Sequence, residues 1–526
     1  MIINITSAKS VGIDAVPVTV EVDINLGIGI HLVGLADAAV KESLLRTVTA
    51  LQSIGFRVPG KKIVINLAPA DMHKKGTGYD VPIAVGIIAA SGQMDLPEVE
   101  NFLMLGELGL DASIRPVAGA LAAAELARNL GLKGCILPRE SASEALVFEG
   151  LAIYGAENLI DVIKILSGSP EAEDYLVTGD TQEALAGALG DRDYMDFSEI
   201  YGQSVAKRGL EIAAAGGHNV ILIGAPGSGK TSLAKALAGI LPPMEQDEAI
   251  VASKVYSAAG KRSAKIGLMR QRPFRAPHYS ASMAAMIGGG AGDSIIPGEI
   301  SLASGGVLFL DEFAQMPKSV AEALRGPIED RKVVISRLHS KVEYPCSFIL
   351  VAASNPCPCG YYGEKDRCTC TVGQRMAYLG RLSGPIMDRI DIQIWVHPVD
   401  TEALLEGHRR GCSSKRKTQA LPKEETSAAV AARVIAARER QKQRFATALT
   451  NSEMSSSMMH RYCPLSEECE GILEKVIDKM GLSARAFSRI IKLARTIADL
   501  DCKEDIEPKH LLEAVSFRFL DKRNPF

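Results

Sequence analysis

The run Gly224-Ala-Pro-Gly-Ser-Gly-Lys230-Thr231 limits what this chain can fold into more than any other stretch. It follows the apolar segment Asn219–Ile223 and precedes a helical pattern over Ser232–Leu241. It therefore reads as a buried strand, a Gly-rich turn and a helix. In that setting the backbone N–H groups of Gly224, Ala225, Pro226 (which lends only its shape), Gly227, Ser228 and Gly229 wrap a phosphate chain. The helix N-terminus, opening with Ser232, adds favourable partial charge. Lys230 is expected to reach the β- and γ-phosphates and Thr231 to hold Mg²⁺. Gly202, ahead of this strand, joins the nucleotide-binding candidates.

Two more apolar runs, Gly306-Val-Leu-Phe-Leu and Ser347-Phe-Ile-Leu-Val-Ala, alternate with helical patterns, which implies a parallel sheet. A parallel strand delivers its last residues to the ligand edge. The first run ends in Asp311-Glu312, about 80 residues past the Gly-rich turn. Asp311 fits the carboxylate on the Mg²⁺ side and Glu312 the base that orients the attacking water. The second run ends at Ser354-Asn355-Pro356, where Asn355 is placed to hydrogen-bond the γ-phosphate or the water. An ATP-hydrolysing site is expected.

Around this centre the chain falls into blocks. Residues 1–166 carry strand patterns at Val18–Ile24 and Lys62–Leu67 and Ala-rich helical patterns at Val81–Ser91 and Val117–Leu130, an α/β module. Residues 167–196 read as a linker, 197–400 as the nucleotide-binding core and 401–526 as a helical domain. In the last, Glu470–Ala498 and Pro508–Phe519 are amphipathic. Net charge is −3, so nucleic-acid binding would need a local basic surface. Thr401–Ala446 offers one, with 11 Lys/Arg against 5 Asp/Glu. No signal peptide pattern and no run of about 18 apolar residues is present, so a cytoplasmic chain without membrane spans is expected.

Four cysteines stand within 14 positions, as Cys357-Pro-Cys359 and Cys368-Thr-Cys370. Four thiolates suit tetrahedral Zn²⁺, although metal sites more often use C-x2-C pairs. The alternatives are a structural zinc site and a loop with four reduced thiols.

Beyond the nucleotide loop, Arg275-Ala-Pro-His278, Gly298-Glu-Ile-Ser-Leu-Ala-Ser-Gly-Gly, Asp311-Glu312-Phe and Leu382-Ser-Gly-Pro-Ile-Met-Asp-Arg389-Ile-Asp resemble the magnesium-chelatase-like AAA+ ATPases. The layout of the whole chain is similar to the ComM/YifB family: a Lon-protease-like N-terminal α/β domain of ribosomal-S5-like type, an AAA+ P-loop core with a parallel sheet, and a C-terminal α-helical lid. The resemblance implies that Arg389 is an arginine finger reaching a neighbouring subunit's ATP and that Arg485, in Gly481-Leu-Ser-Ala-Arg485, is the second sensor arginine on the lid. It further implies a hexameric ring acting on DNA, in branch migration of recombination intermediates during DNA uptake.

Arg331–Tyr344 reads as a β-hairpin and resembles the presensor hairpin that lines the pore of MCM-type helicases. Arg337, His339 and Lys341 alternate and would present one cationic face to phosphates. Met286–Asp293 is a second pore-loop candidate. In the first block, Gly106-Glu-Leu and Lys75-Gly-Thr-Gly-Tyr-Asp are similar to segments flanking the Lon active site. Active Lon proteins place a Ser after Gly-Pro and a Lys after Gly-Gly-Leu; here the sequences are Gly76-Thr-Gly-Tyr79 and Gly119-Ala-Leu121-Ala122. Without that pair, proteolysis is not expected. A metal-chelatase motor or a protein remodeller remains the alternative to a DNA motor. A chelatase motor, however, needs separate integrin-type and porphyrin-binding subunits, and this chain has neither.

Overall fold

The computed structural model describes residues 2–74, 76–178, 194–261, 268–290, 295–336, 341–364, 367–382, 384–398 and 424–521. The alternating segment near the N-terminus forms the strand Asp14–Asn25, whose Val18, Val20 and Val22 are buried on one face. It belongs to a seven-stranded mixed sheet. The spatial order is Gly29–Val33, Lys62–Ala68, Asp14–Asn25, Ile3–Val11, Phe102–Met104, Gly134–Pro138 and Ala152–Ala156. The two Ala-rich patterns are the helices Asp80–Ser91 and Ala120–Asn129. The first packs on Ile5, Val20 and Ile65. The second belongs to another apolar cluster, with Leu103, Cys135 and Leu137, that also takes in Met244, Ala249 and Ala252 of the second block.

The first block is therefore docked on the second. Lys254, on the helix Gln246–Ala258, is 6% exposed and bonds the carboxylates of Asp14 and Glu125, both in the first block. A Cβ on Gly12, in the turn between the first two strands, would stand 2.6 Å from Val342 Cγ1. Lys254→Ala should remove a charge-assisted contact and cost about 1.5–3 kcal/mol of this docking, read as a lower thermal midpoint.

The second block holds a five-stranded, all-parallel sheet. Its order is Phe274–Arg275, Val307–Leu310, Ile349–Ser354, Val220–Gly224 and Ile392–Val396. The three apolar runs are thus three adjacent central strands. One face packs under Ile300, Phe313 and Leu324. The other face packs under Leu210, Leu233 and Leu237 in a core that continues into Val434, Ile490, Ile497 and Leu511. The C-terminal helices therefore share the core of the P-loop helix and do not build one of their own.

Three sequence expectations gain detail. The amphipathic stretch Glu470–Ala498 is two helices, Glu467–Met480 and Ala484–Leu500. Gly481 (φ 65°) ends the first, and the Ser483 side chain caps the second by accepting from the Ala486 amide. Apolar spacing continues across the break and hides it. Within 167–196, Pro170–Tyr175 is a 3-10 turn and Leu176 bridges to Tyr154, while 179–193 lie outside the described residues. Met286–Asp293 opens as the end of the helix Met283–Ile287 and a two-residue strand, Gly288–Gly289, paired to Ile296–Pro297.

Candidate nucleotide site

In the sheet, Ile223 pairs with Ser354 and Gly224 with Val396, while Leu310 pairs with Ala352. The Gly-rich turn, Asp311 and Asn355 consequently emerge at one end of three neighbouring strands. The turn needs its glycines: Gly227 (φ 77°) and Gly229 (φ 90°) hold left-handed backbone just before the helix Lys230–Ile240. Lys230 Nζ donates to the Gly224 and Ala225 carbonyls at 2.8 and 2.9 Å and stands 3.4 Å from Asn355 Oδ1. Burial pushes its pKa down, opposed by the negative charges of Asp311 and Glu312. The Lys, both acids and Asn355 thus form one cluster. Thr231 is exposed at the mouth. The Ser228 hydroxyl, 2% exposed, has no hydrogen-bond partner among the described residues. These groups fit a nucleotide triphosphate with Mg²⁺.

Glu312 sits at φ 49°, with its amide bonded to Asp311 Oδ1 at 2.8 Å. A left-handed Glu is uncommon, and functional positions are where such strain is kept. Gly202 lies to the side: its amide donates to Glu424, while neighbouring Gln203 donates to the His397 carbonyl just past Val396.

Arg389 and Arg485 are elsewhere. Asn219 Nδ2 donates to the Arg389 carbonyl, and Asn219 precedes the first residue of the central strand. Arg389 is therefore at the opposite end of that strand from Gly224, since Asn219 stands about 17 Å from Gly224 at 3.3 Å per residue. Its side chain is 5% exposed and pairs with Glu329 at 2.6 Å. Arg485, 63% exposed and 3.9 Å from Asp388, lines the same cleft of about 660 Å³, together with Arg331, Arg489 and Lys492. The sequence had not suggested Glu329, because its link to Arg389 spans 60 positions.

The hairpin is present as Lys332–Ser336 paired with Lys341–Pro345. Val333, Ile335, Val342 and Tyr344 face inward, and Lys332, Lys341 and Glu343 face outward. Lys341 is exposed there; Arg337 and His339 lie outside the described residues. The basic stretch Thr401–Ala446 is described only in its second half. Residues 401–423 lie outside the described part, and the five cations of the helix Ser427–Phe445 are used within the chain. Arg433 bonds Glu211 and Glu425, Arg438 the Ala214 carbonyl, Arg440 the Asp499 carbonyl, Lys442 Glu245, and Arg444 Asp499. Each of these five thus has a partner within the chain, with Arg433 and Lys442 still 41% and 48% exposed.

Cys357, Cys359, Cys368 and Cys370 converge, with all four Sγ within 4.8 Å of one another. The Cys357–Cys359, Cys359–Cys368 and Cys357–Cys368 separations are 3.3, 3.6 and 3.8 Å. A tetrahedral ZnS₄ centre with bonds near 2.3 Å sets sulfurs roughly 3.8 Å apart, so the thiols fit that ion. In the first block the Thr77 hydroxyl donates to Glu107, which Arg115 engages at 3.5 Å, and Lys74 is bonded to the Pro69 carbonyl. No lysine amine meets Thr77 among the described residues. No described helix is long and apolar enough to cross a membrane.

Comparison with known proteins matches this architecture block by block. Residues 196–404 match the family model described as magnesium chelatase, subunit ChlI. Residues 20–141 match subunit ChlI of Mg-chelatase, and 424–518 match the ChlI C-terminal model. The chain is 41% identical over 515 residues to protein YifB of Salmonella typhimurium, covering 98% of this chain and 96% of the relative. It is 41% identical over 514 residues to competence protein ComM of Haemophilus influenzae, covering 97% and 96%. An archaeal Lon protease of Methanocaldococcus jannaschii is 23% identical over 166 residues, 32% of this chain and 24% of that one.

Proposed function

Because the chain belongs to the ComM/YifB family of magnesium-chelatase-like AAA+ ATPases, we propose that it is an ATP-driven DNA motor, working as a hexameric ring in branch migration of recombination intermediates during DNA uptake. The observation that carries the motor reading is the division of the nucleotide site. Lys230, Asp311, Glu312 and Asn355 gather at one end of the sheet, and Arg389 and Arg485 share a cleft at the other. Two copies are then needed to complete one site, as in a ring. DNA as the partner draws on the 41% identity to a competence protein and on the exposed Lys341 of the hairpin.

In this reading the turn Gly224–Gly229 and Lys230 bind the triphosphate. Thr231 and Asp311 hold Mg²⁺, which neutralises charge on the phosphates when bound. Glu312 orients and deprotonates the attacking water, Asn355 fixes the γ-phosphate and water relative to Lys230, and a neighbour's Arg389 and Arg485 meet the charge that develops on the transferring group. Turnover at each interface would shift the hairpins along the DNA backbone. The four cysteines hold a structural Zn²⁺.

The test is ATP-dependent branch migration on a synthetic four-way junction. Product is expected with the wild-type chain and its loss with Lys230→Ala. ATP hydrolysis should rise with DNA, and that stimulation should fade as salt increases. Absence of product, together with hydrolysis indifferent to any DNA, would move the assignment to protein remodelling or to a chelatase-type motor.

A further inference from the structure

The cysteine cluster borders the phosphate loop. Residues 355–370 leave the sheet from the strand Ile349–Ser354, beside the strand that ends in Gly224. The first turn of this segment is wound round sulfur. The Gly360 amide donates to the Cys357 carbonyl at 3.0 Å, which closes the turn that brings the Cys357 and Cys359 sulfurs to 3.3 Å of one another.

The outer side of the same turn rests on the nucleotide loop. Gly360 has φ 88°, and a Cβ built there would stand 2.9 and 3.0 Å from Pro226 Cδ and Cγ and 3.9 Å from Asn355 Cγ. Only a residue without a side chain lets the backbone approach so closely. Two positions on, the Tyr362 ring meets Trp395 edge-on at 6.1 Å, and a Cβ on Gly363 would lie 3.2 Å from the Trp395 ring. Trp395 pairs in register with Ile223, the residue before Gly224. The turn thus touches the phosphate loop, Asn355 and the strand flanking the loop.

Among the described residues of 356–371 there is no helix or strand. What orders such a turn is the tie between Cys357–Cys359 and Cys368–Cys370, and four thiols give little cohesion until a cation joins them. We propose that the metal held by Cys357, Cys359, Cys368 and Cys370 sets the nucleotide affinity of the P-loop by pressing the turn at Gly360 onto Pro226 and Asn355. This rests on the zinc reading above. It assigns the cluster a second role, as a metal-dependent control of ATP binding.

The experiment uses the full-length protein. Zinc content by elemental mass spectrometry and the Kd for a fluorescent ATP analogue are measured as purified, after stripping with a mercurial and a chelator, and after Zn²⁺ is added back. One zinc per chain is expected, with binding weakened by about 10–100-fold on stripping and restored on reloading. Gly360→Ala separates contact from metal. It should keep its zinc and its thermal midpoint within a few degrees, yet bind the analogue more weakly in the same sense. Stripped protein that binds as tightly as loaded protein, or a zinc-loaded Gly360→Ala chain of unchanged affinity, overturns the coupling and leaves the zinc site standing. Protein that neither contains nor takes up zinc overturns the zinc reading and the proposal with it.

Discussion

Replacing Arg389 by alanine is expected to lower ATP turnover by about 10³–10⁵-fold while nucleotide affinity stays nearly unchanged, the signature of a group that acts on transition-state charge. The geometry gives this effect a second, sharper form. Arg389 stands at the opposite end of the central strand from its own P-loop, with its backbone carbonyl held by Asn219 Nδ2 and the adjacent Ile390 carbonyl held by Arg518. It is thus mounted on a fixed anchor, which in the shared-site reading would face a neighbour. Arg389→Ala chains and Lys230→Ala chains should each be inactive alone and regain hydrolysis on mixing. In the mixture some interfaces combine an intact Lys230 with an intact Arg389. Steady-state hydrolysis across a titration of the two variants measures this. Activity that never rises above the sum of the separate variants would sink the shared-site reading.

The contact with Glu329 adds a condition. Arg389 Nη2 lies 2.6 Å from the Glu329 carboxylate, which is half exposed. Engaging a phosphate would mean exchanging one anion for another, so an Arg389 acting as the finger would begin paired and need not be desolvated afresh. A chain on its own keeps Arg389 paired with Glu329.

The sequence carried the nucleotide centre because that centre is built from local pieces. A strand, a Gly-rich turn and a helix are contiguous in Val220–Ile240, and the acids and Asn355 each end an apolar run. Parallel pairing then brings such ends together without further information. The hairpin Lys332–Pro345 was legible for the same reason, through alternation over five residues on each strand. What stayed hidden depends on contacts between distant positions. Nothing in the helix Ser427–Phe445 announces that Arg438 will cap the Ala214 carbonyl, 224 positions away, so its cations read as a basic surface. The approach of Gly360 to Pro226 is equally silent, since a glycine after C-x-C reads as a turn wherever it occurs. The core shared by the C-terminal helices and the P-loop block is invisible because amphipathic spacing says that a helix has a partner and not which one.

That shared core holds the position where a single substitution should cost most stability. Asp499 is fully buried and receives Arg495 Nη2 at 3.0 Å, Arg444 Nη1 at 3.0 Å and Asn451 Nδ2 at 2.8 Å. Arg495 is itself 1% exposed and also donates to the Lys503 and Glu504 carbonyls. Removing the carboxylate leaves two guanidinium groups without their acid, one of them sealed from water, a change that costs about 3–5 kcal/mol in buried pairs. Asp499→Ala should therefore depress the thermal midpoint by on the order of 10 °C. Lys442, two residues before Arg444 on the same helix, is the matching control. It pairs with Glu245 where the two side chains are 48% and 52% exposed. Lys442→Ala should change stability by no more than about 1 kcal/mol, because water screens an exposed pair and solvates what is left. Each substitution removes one member of an ion pair that involves the helix Ser427–Phe445, one pair buried and one exposed, so a large difference in melting assigns the effect to burial. Because the Asp499 network runs through Asn451 and Thr496 to His218 of the motor, the Asp499→Ala transition should also lose its single-step character, with the C-terminal helices melting first. Calorimetry showing one unbroken transition at the wild-type midpoint would mean that the network carries far less of the lid's attachment than its burial implies.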